Sequence, residues 1–343
     1  MSNVSTCNGS NIGNFCNRSR YFNEHMLILS ATTLVFGGII GIFPNVIIVV
    51  TVYRNKSFRK PTYFFITNLA VCDLMQSAAT VFNLFLTAID RQFQLPLSVL
   101  TVLCKIFAIF LKYWSYTASM QTLIIISGER YHAIFRPTRK LSTKRARSLC
   151  FLSWVISFAI AFPYLITASA LNNKPKICVA YQNYTEWTTV INIILFIFQF
   201  MLPAIIMIIL YSLILRHLKR KSRILQKESD ANKKVKQRTV YMLMTTTFFY
   251  FIFATPWAIS LVTIFTTRRL PFNLGRDRSN PLLQTIMGIS RMSLPYTTLY
   301  NSIIYCIFNH KMRRIFFPCF HRSTRFKVKH VHSVGPNVTL TPS

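Results

Sequence analysis

Long apolar segments separated by short polar ones fill most of this chain. Seven of them are long enough to cross a bilayer, and they lie near 27–53, 63–89, 101–129, 149–171, 189–215, 239–266 and 282–307. A spanning helix needs about 20 predominantly apolar residues because the hydrocarbon core is about 30 Å thick. The pattern therefore predicts an all-α membrane protein in which residues 27–307 form a bundle of seven transmembrane helices.

The two ends of the chain have different predicted roles. Residues 1–26 are predicted to form a glycosylated extracellular N-terminus, and because 1–24 lack the apolar core of a cleavable signal peptide, we expect the first helix to direct membrane insertion. Residues 308–320 alternate basic and apolar side chains, which predicts a short amphipathic eighth helix in the inner headgroup region. Cys319 in this segment is either palmitoylated or an unmodified cysteine. The polar residues 321–343 are predicted to form a disordered tail.

Composition and charge fix the environment and the orientation. Hydrophobic residues make up 52% of the chain and charged residues 14%, against about 25% charged in soluble domains. A net charge of +32 is also typical of nucleic-acid-binding proteins. However, 28 of the 40 Lys and Arg residues fall in 54–62, 130–148, 216–238 and 308–343, and only 9 in the connecting segments of the opposite side. The positive-inside rule explains this bias, so we predict an extracellular N-terminus, a cytoplasmic tail and no nucleic-acid partner.

Glycosylation sequons agree with this orientation. N-x-S/T triplets on the predicted outer face begin at Asn3, Asn8, Asn17 and Asn183. We predict glycans at these four asparagines.

Asp73 is the one acidic residue deep in a predicted span. Ionisable groups in a bilayer are costly and therefore mark function by default. Two interpretations are open. Asp73 makes a polar contact between helices, with Asn45 and Asn301, or it holds a sodium ion, because hard cations take oxygen ligands. Sodium is the one candidate cofactor that the sequence suggests.

The third predicted span ends in Gly128-Glu129-Arg130-Tyr131, which places an acid beside an arginine at the cytoplasmic edge. Pairing lowers the cost of burying both charges, and such a pair can be released during a conformational change. The alternative is an ordinary interfacial arginine whose side chain reaches water.

These motifs occur in the order found in rhodopsin-like G-protein-coupled receptors, and the resemblance covers about residues 27–320. The matching elements are Gly41-Ile-Phe-Pro-Asn45, Asn68-Leu-Ala-Val-Cys-Asp73, Glu129-Arg130-Tyr131, Trp154, Pro203 with Tyr211, Pro256, and Asn301-Ser-Ile-Ile-Tyr305. The chain most resembles the neuropeptide-receptor group. The resemblance implies a plasma-membrane receptor that binds an extracellular ligand and activates a heterotrimeric G protein, with arrestin and membrane lipid as further candidate partners.

The resemblance also assigns the residues of coupling and activation, which are Glu129, Arg130, Tyr131, Tyr211, Pro256, Asn301 and Tyr305. Proline inside a helix leaves backbone groups free, so Pro203 and Pro256 are expected to mark bending points in helices five and six. Opening of helix six would break the cytoplasmic contacts of Arg130, and Tyr211 and Tyr305 would hold the arginine in its new position. A ligand-biased helix shift is the expected transition.

Two substitutions depart from the family pattern in helices six and seven. Ser302 replaces the usual seventh-helix proline, so the local bend is expected to differ. Ala254 stands where the family usually has a tryptophan two residues before Pro256, and Tyr250 and Trp257 are the candidates to replace that aromatic switch.

A third departure concerns the candidate sodium site. Thr297 replaces a usual asparagine near this site, whereas Ser119 keeps the third-helix hydroxyl. The resemblance therefore implies Asp73, Ser119 and Asn301 as the sodium ligands.

The resemblance further implies an extracellular disulfide between Cys104 and Cys178, at the outer end of helix three and in the second outer loop. The interval from Cys104 to Arg130 is one residue longer than usual in the family, which predicts a local bulge. Whether Cys7 and Cys16 pair stays open.

Helical spacing places Lys112, Tyr116 and Ser119 on the stripe of helix three that ends in Arg130, and this stripe should face the bundle. Lys112 is at the position where monoamine receptors need a carboxylate, so the resemblance disfavours aminergic ligands. Arg291 in helix seven is expected at a similar level, and two buried cations suggest an anion between them. Alternatively, one or both reach water in the outer vestibule. The predicted ligand contacts are Lys112, Tyr113, Tyr116, Gln199, Trp257 and Arg291.

The ligand class stays open. A peptide is the first candidate because of the likeness to neuropeptide receptors, while the two cations would equally suit a carboxylic acid, a nucleotide or a lysophospholipid. Light sensing is disfavoured because 282–307 contains no lysine for a retinal Schiff base. A transporter or channel is the alternative from another class, and it would show internal repeats or several buried ionisable groups. No enzyme is predicted, since no nucleophile and base or metal-ligand cluster stands out.

Overall fold

The computed structural model describes Val35 and residues 38–58, 60–136, 138, 141–172, 176–224, 230–274 and 280–308. Within these ranges, the structure describes the backbone without the side chains at 57, 221–224, 230–239, 243, 271–272, 291–292 and 305–308. The predicted eighth helix beyond Phe308, Cys319, the tail at 321–343, the cysteines Cys7 and Cys16, and the sequons at Asn3, Asn8 and Asn17 lie outside the described residues.

Seven long helices follow one another through the described part of the chain. They are α1 (Gly38–Arg54), α2 (Pro61–Phe93), α3 (Leu97–Phe135), α4 (Thr143–Thr167), α5 (Glu186–Phe196, continuing through Ile197–Met201 and Leu202–Ile224), α6 (Asp230–Thr267) and α7 (Pro281–Phe308). By length and composition, α2 to α6 are each able to cross a membrane. Short helical turns at Lys56–Phe58 and Pro271–Leu274 complete the helical structure. The predicted seven-helix architecture is confirmed.

Two helices contain a wider π-helical turn. In α3 this turn spans Cys104–Phe110, and it takes up the extra residue that the interval from Cys104 to Arg130 predicted. In α5 it spans Ile197–Met201, directly before Pro203, whose ring would clash with the preceding turn of a regular α-helix.

Prolines also interrupt the interiors of α6 and α7. Pro256 lies inside α6, as predicted, and Pro295 lies inside α7. In α7, Ser302 replaces the proline usual in the family, and Pro295 lies about two turns earlier. The family motifs did not predict a proline at that position. Each proline removes one backbone hydrogen bond and marks a bending point.

The fourth helix ends earlier than its apolar segment suggested. That segment reached residue 171, but α4 is interrupted at Phe162–Pro163 and ends at Thr167. Residues Ser169–Leu171 (β1) instead pair antiparallel with Ile177–Val179 (β2), with Ala170 opposite Cys178. The pairing satisfies backbone groups that a helix end would leave free. This outer hairpin is an addition to the predicted helical architecture.

The interior combines apolar clusters with polar contacts between helices. Buried members of the larger apolar cluster include Leu69, Leu123, Met207 and Tyr250, and a second cluster at the outer end includes Leu100, Tyr164 and Leu195. Large apolar side chains such as Phe151 and Ile208 are 72% and 64% exposed, as expected for helix faces in contact with lipid. Helix association then depends on close packing and on polar contacts.

Asn68 provides such a polar contact about two turns from the start of α2. Its Nδ2 donates a hydrogen bond to Thr122 Oγ1 of α3 at 2.8 Å, and its Oδ1 accepts one from Trp154 Nε1 of α4 at 2.9 Å. Asn68 and Trp154 therefore join three helices, which explains their place among the motif residues.

Gly41 brings α1 close to α2 and α7. A Cβ atom at this position would lie 2.6 Å from Ser77 Oγ and 2.7 Å from Thr298 Oγ1. Asn45, one turn later, donates from Nδ2 to the carbonyl of Thr298 at 3.1 Å and accepts from Ser302 Oγ at 2.7 Å. A methyl group at residue 41 would therefore displace both hydroxyls, and glycine allows α1, α2 and α7 to pack closely where Asn45 reaches α7.

Candidate functional site

A cavity of about 240 Å³ lies at the outer end of the bundle, beneath the outer hairpin. Helices α2 to α4 contribute Thr80, Asn83, Leu84, Ile109, Lys112, Tyr113 and Tyr164, and the hairpin and the residues after it contribute Ile177, Cys178, Val179, Ala180 and Tyr181. The remaining wall consists of Trp257, Ser260, Leu261, Ile264, Leu270, Met287, Ser290 and Leu294. A largely apolar wall with a few polar groups is typical of a small-ligand site.

Lys112 is the one charged residue among the described residues that line this cavity. Its Nζ lies 6.0 Å from the centroid of the Tyr113 ring, and neither ion pair of the described side chains includes it. An ammonium group in a mainly apolar wall favours an anionic partner, because charge-assisted hydrogen bonds are strong where water is scarce. The cavity therefore suits a ligand with a negative group.

A disulfide attaches the hairpin to α3. Cys104 and Cys178 are bonded, with their Cα atoms 5.3 Å apart, so the predicted bridge is confirmed. Because Cys178 is in β2, the bond holds this strand over the cavity.

A second attachment joins the same hairpin to α2. Lys176 Nζ donates to Asp90 Oδ1 at 2.8 Å and to the carbonyl of Leu95 at 2.7 Å, and the Lys176 backbone N–H donates to Asp90 Oδ2 at 3.1 Å. We call this contact the loop anchor. Sequence reasoning missed it, although Asp90 is one of only 8 acidic residues in the chain and follows an apolar span.

Aromatic rings form one side of the cavity. Tyr113 stacks on Tyr164 with ring centroids 4.2 Å apart and planes 13° apart, and its centroid lies 6.1 Å from that of Trp257. The predicted contacts Lys112, Tyr113 and Trp257 are thus brought together in one wall.

Tyr116 links this wall to the centre of the bundle. Its ring makes an edge contact with Trp257 at 5.2 Å and stacks on Tyr250 at 5.7 Å. Ala254 is completely buried in the same helix as both partners, so its small side chain occupies the level between them. Both candidates to replace the missing family tryptophan therefore contact one tyrosine of α3.

The other predicted ligand residues are placed differently. Tyr116 is fully buried below the cavity, and Gln199 is buried between α5 and α3, where its Nε2 donates to Thr117 Oγ1 at 2.9 Å. Neither is among the described residues of the wall. Arg291 belongs to α7 directly after the wall residue Ser290, and its side chain lies outside the described residues.

Asp73 lies deeper, where α2, α3 and α7 meet. Its carboxylate is 1% exposed and accepts hydrogen bonds from Ser119 Oγ at 3.3 Å and from Asn301 Nδ2 at 2.9 Å. The expected contact with Asn301 forms. The described hydrogen bonds of Asn45 are instead with α7, to the carbonyl of Thr298 and from the hydroxyl of Ser302.

Two buried amide oxygens near Asp73 lack a hydrogen-bond partner among the described residues. They are Asn301 Oδ1 and Gln76 Oε1. Gln76 lies about one turn above Asp73 and donates from Nε2 to Leu294 O at 2.9 Å and to Thr297 Oγ1 at 3.1 Å. A carboxylate, a hydroxyl and unpaired amide oxygens are a donor set that suits a hard cation. Gln76 is not part of the sequence motif that pointed to Asp73.

At the inner end of α3, Arg130 is held by two neighbours. Its Nε lies 3.0 Å from Glu129 Oε2, and its Nη2 donates to Thr62 Oγ1 of α2 at 2.8 Å. The two charged side chains are 19% and 13% exposed. Tyr131, next in the motif, stacks on Phe135 at 4.3 Å. Among the described side chains, Arg130 makes polar contacts with α2 and α3, and the side chains at 230–239 of α6 lie outside the described ones.

Tyr211 makes the described contact with helix six. Its hydroxyl accepts from Ser127 Oγ at 2.8 Å and shares a 3.0 Å hydrogen bond with Thr247 Oγ1, so it bridges α3, α5 and α6. Tyr305 belongs to α7, but its side chain lies outside the described residues, and its role stays a prediction. On the outer side, Asn183 is exposed just before α5, as a glycosylation site requires.

Comparisons with known proteins agree with this architecture. The family model of the seven-transmembrane receptors of the rhodopsin family matches residues 44–305. The neuromedin U receptor homolog nmur-2 of Caenorhabditis elegans is 27% identical over 324 residues, which cover 84% of this chain and 79% of that protein. Human G-protein coupled receptor 183 is 26% identical over 260 residues, covering 73% and 69%. The Dopamine D2-like receptor of Drosophila melanogaster is 27% identical over 198 residues, and this chain spans only 21% of its length.

The family match extends from α1 to α7 and includes the outer cavity, the Asp73 cluster and the Glu129–Arg130 pair. With seven helices in the described part and an apolar exterior, the chain is a multi-pass membrane protein. It therefore belongs to the rhodopsin family of seven-transmembrane receptors, whose members are receptors and not enzymes.

Proposed function

We propose that this protein is a plasma-membrane receptor with an extracellular N-terminus, which binds a ligand carrying an anionic group in the outer cavity and activates a heterotrimeric G protein. The observation that carries the proposal is the layout of α3. This helix places Lys112 in the cavity wall and Arg130 at the opposite, cytoplasmic end. At 1.5 Å per residue the two are about 27 Å apart on one continuous helix.

The nature of the ligand is argued from the cavity, because the names of the relatives refer to different ligands. One is a receptor homolog for neuromedin U and another a dopamine-like receptor. No acidic residue is found in the described wall, which supports an anionic ligand, either a small molecule or a peptide that presents a carboxylate. Arg291, next to the wall residue Ser290, is proposed as a second cation. Its partnership with Lys112 is tested by Arg291→Gln.

Activation is proposed to pass through helix six. In the structure, Tyr211 ties α6 to α3 through Thr247 and Ser127, while Arg130 is held towards α2 by Thr62. Bending at Pro256 would separate Thr247 from Tyr211. We propose that the released Tyr211, with Tyr305, then supports Arg130 in a position where it contacts the G protein, and that arrestin and membrane lipid bind the same cytoplasmic side.

A sodium ion is proposed at Asp73, with Ser119 and Asn301 as the other ligands. The buried carboxylate supports this proposal, as does the Oδ1 of Asn301, which has no hydrogen-bond partner in the described part of the chain. A bound cation would compensate the charge of Asp73 and stabilise the arrangement of α2, α3 and α7, so its release would favour rearrangement of α7.

The test of G-protein activation uses Arg130→Ala, with Arg136→Ala as the control. Arg136 is an exposed arginine at the end of the same helix, so its removal changes the net charge equally. Screening acidic metabolites, lipids and neuropeptides on cells that express the receptor supplies an agonist, and nucleotide exchange on a panel of Gα subunits is then measured. We expect Arg130→Ala to reach the cell surface and to abolish exchange, while Arg136→Ala retains it. Normal exchange by a surface-expressed Arg130→Ala receptor would show that this role is wrong.

A further inference from the structure

We infer that the outer cavity binds a small carboxylate that also carries an O–H or N–H donor and an apolar or aromatic body. This inference rests on the proposed receptor function and specifies its ligand. The same chemistry occurs in two sources. One is a free hydroxy acid or N-acylated amino acid, and the other is the C-terminal residue of a peptide.

The charge of the cavity defines the first feature. Among the described wall residues, Lys112 is the one charged residue. Its Nζ forms no ion pair with a described carboxylate. One ammonium group neutralises one carboxylate, and it also supplies hydrogen bonds to the carboxylate oxygens. A cationic ligand would instead place two like charges together in a mainly apolar wall.

An unpaired amide oxygen defines the second feature. Asn83 Oδ1 is buried and makes no hydrogen bond among the described residues, and Asn83 belongs to the cavity wall together with Lys112. This oxygen can only accept, and a carboxylate can only accept as well. A ligand that pairs with both the Lys112 ammonium group and Asn83 Oδ1 therefore needs a hydrogen-bond donor besides its carboxylate.

The remaining wall defines the body and the size of the ligand. The parallel pair Tyr113 and Tyr164, with Trp257 nearby, offers flat apolar faces on which an aromatic or aliphatic group can stack. With β2 lying above, a cavity of about 240 Å³ accommodates one small acid or the terminal residue of a peptide.

The experiment compares closely matched probes on the purified full-length receptor in detergent, with thermal stabilisation as the measure of binding. 3-Phenyllactate carries all three features, 3-phenylpropionate lacks the hydroxyl, and methyl 3-phenyllactate lacks the charge. A short peptide ending in phenylalanine, with a free or an amidated C-terminus, tests the second source. Stabilisation grows with ligand concentration over the dissociation constant, so titrations give affinities.

We expect 3-phenyllactate to bind at least about tenfold more tightly than either analogue, which corresponds to about 1.4 kcal/mol. Lys112→Met should remove the preference over the methyl ester, and Lys112→Arg should keep it. Asn83→Leu should remove the preference over 3-phenylpropionate and leave the charge preference. Lys105→Met is the matched control, because Lys105 is a half-buried lysine of the same helix that donates to the carbonyl of Ile166 and is not among the described wall residues.

If the peptide with a free carboxylate binds more tightly than 3-phenyllactate and its amide does not bind, the inferred chemistry holds and its source is a peptide terminus. The inference is overturned if all probes fail to bind at millimolar concentration, or if 3-phenyllactate, 3-phenylpropionate and methyl 3-phenyllactate bind equally. It is also overturned if the Lys112→Met receptor binds these three probes with the affinities of the unchanged receptor. Binding is measured without a G protein. Stabilisation without Gα activation would therefore contradict the proposed signalling and leave the inferred ligand class intact. Gα activation by a cationic agonist would contradict the inferred ligand class and leave the proposed signalling intact.

Discussion

The loop anchor between Asp90 and Lys176 is expected to stabilise the receptor by holding the outer hairpin on α2. Lys176→Met is the informative change, because methionine keeps most of the length of the side chain and removes the charge. The variant loses the hydrogen bonds from Nζ to Asp90 and to the carbonyl of Leu95. The Asp90 carboxylate then keeps its hydrogen bonds with the backbone of residue 176 and of Leu95.

The size of the effect follows from burial. The side chain of Asp90 is 5% exposed and that of Lys176 is 16% exposed, so water screens the pair poorly. Loss of one partner from a buried ion pair costs about 3–5 kcal/mol, and a hydrogen bond to a charged group contributes about 1.5–3 kcal/mol. Asp90 lies near the outer end of α2, where a small movement returns it to water, so we expect about 2–3 kcal/mol. At roughly 2–4 °C per kcal/mol, the melting temperature should fall by about 5–10 °C.

The assay is thermal unfolding of the purified receptor, followed by reaction of a thiol dye with Cys72, a free cysteine that is completely buried in the folded protein. Lys105→Met serves as the control for loss of a lysine outside the loop anchor. Lys105 is half-buried and makes a solvent-exposed hydrogen bond to the carbonyl of Ile166, so its loss should change stability by less than about 0.5 kcal/mol. Asp90→Asn combined with Lys176→Met should be less damaging than the sum of the single changes, because it leaves no unpaired charge.

Two results would refute this reasoning. If Lys176→Met melts at the same temperature as Lys105→Met, the loop anchor contributes nothing to stability. If the losses from Asp90→Asn and Lys176→Met simply add, the two side chains act independently and their contact is incidental.

Three further predictions concern other parts of the receptor. Gly41→Ala should lower stability by about 1–3 kcal/mol through overpacking, because its Cβ would lie 2.6 and 2.7 Å from hydroxyl oxygens of α2 and α7. Gly128→Ala is the control in the same melting assay and should be tolerated, since a Cβ there would have no described atom within 4 Å. Cys104→Ser and Cys178→Ser should each reduce surface expression, and the double variant should be no worse than either one; additive losses would mean that the cysteines act separately. Sodium chloride should raise the melting temperature relative to choline chloride at equal ionic strength, and Asp73→Asn should abolish that difference; an unchanged sodium response would rule out the proposed ligand.

Much of the fold follows from properties that can be counted along the chain. Seven apolar segments of spanning length predicted seven helices, since a bilayer requires a minimum apolar length whatever the neighbouring helices do. The interval from Cys104 to Arg130, one residue longer than usual in the family, predicted a bulge, and the π-helical turn at Cys104–Phe110 provides it. The end of α4 was misplaced because the apolar segment continues through Ser169–Leu171, where the chain forms a strand.

The site was predicted less completely. Lys112, Tyr113 and Trp257 were assigned to the ligand cavity from helical spacing and family resemblance, and all three lie in its wall. Tyr116 and Gln199 share the same bundle-facing sides of their helices but lie below or beside the cavity. Spacing gives the face of a helix, while depth along the face depends on how the neighbouring helices pack.

The sequence by itself thus determined the membrane environment, the number of helices and their order, since these depend on length, hydropathy and charge. Only the tertiary structure decided which polar atoms meet. The loop anchor joins residues 86 positions apart in the sequence, and Asn45 bonds to α7 because Gly41 lets that helix approach. The unpaired oxygen of Asn83 likewise became visible only when its surroundings were known. Such contacts depend on distances of a few tenths of an ångström between helices, and no pattern along a single helix encodes those distances.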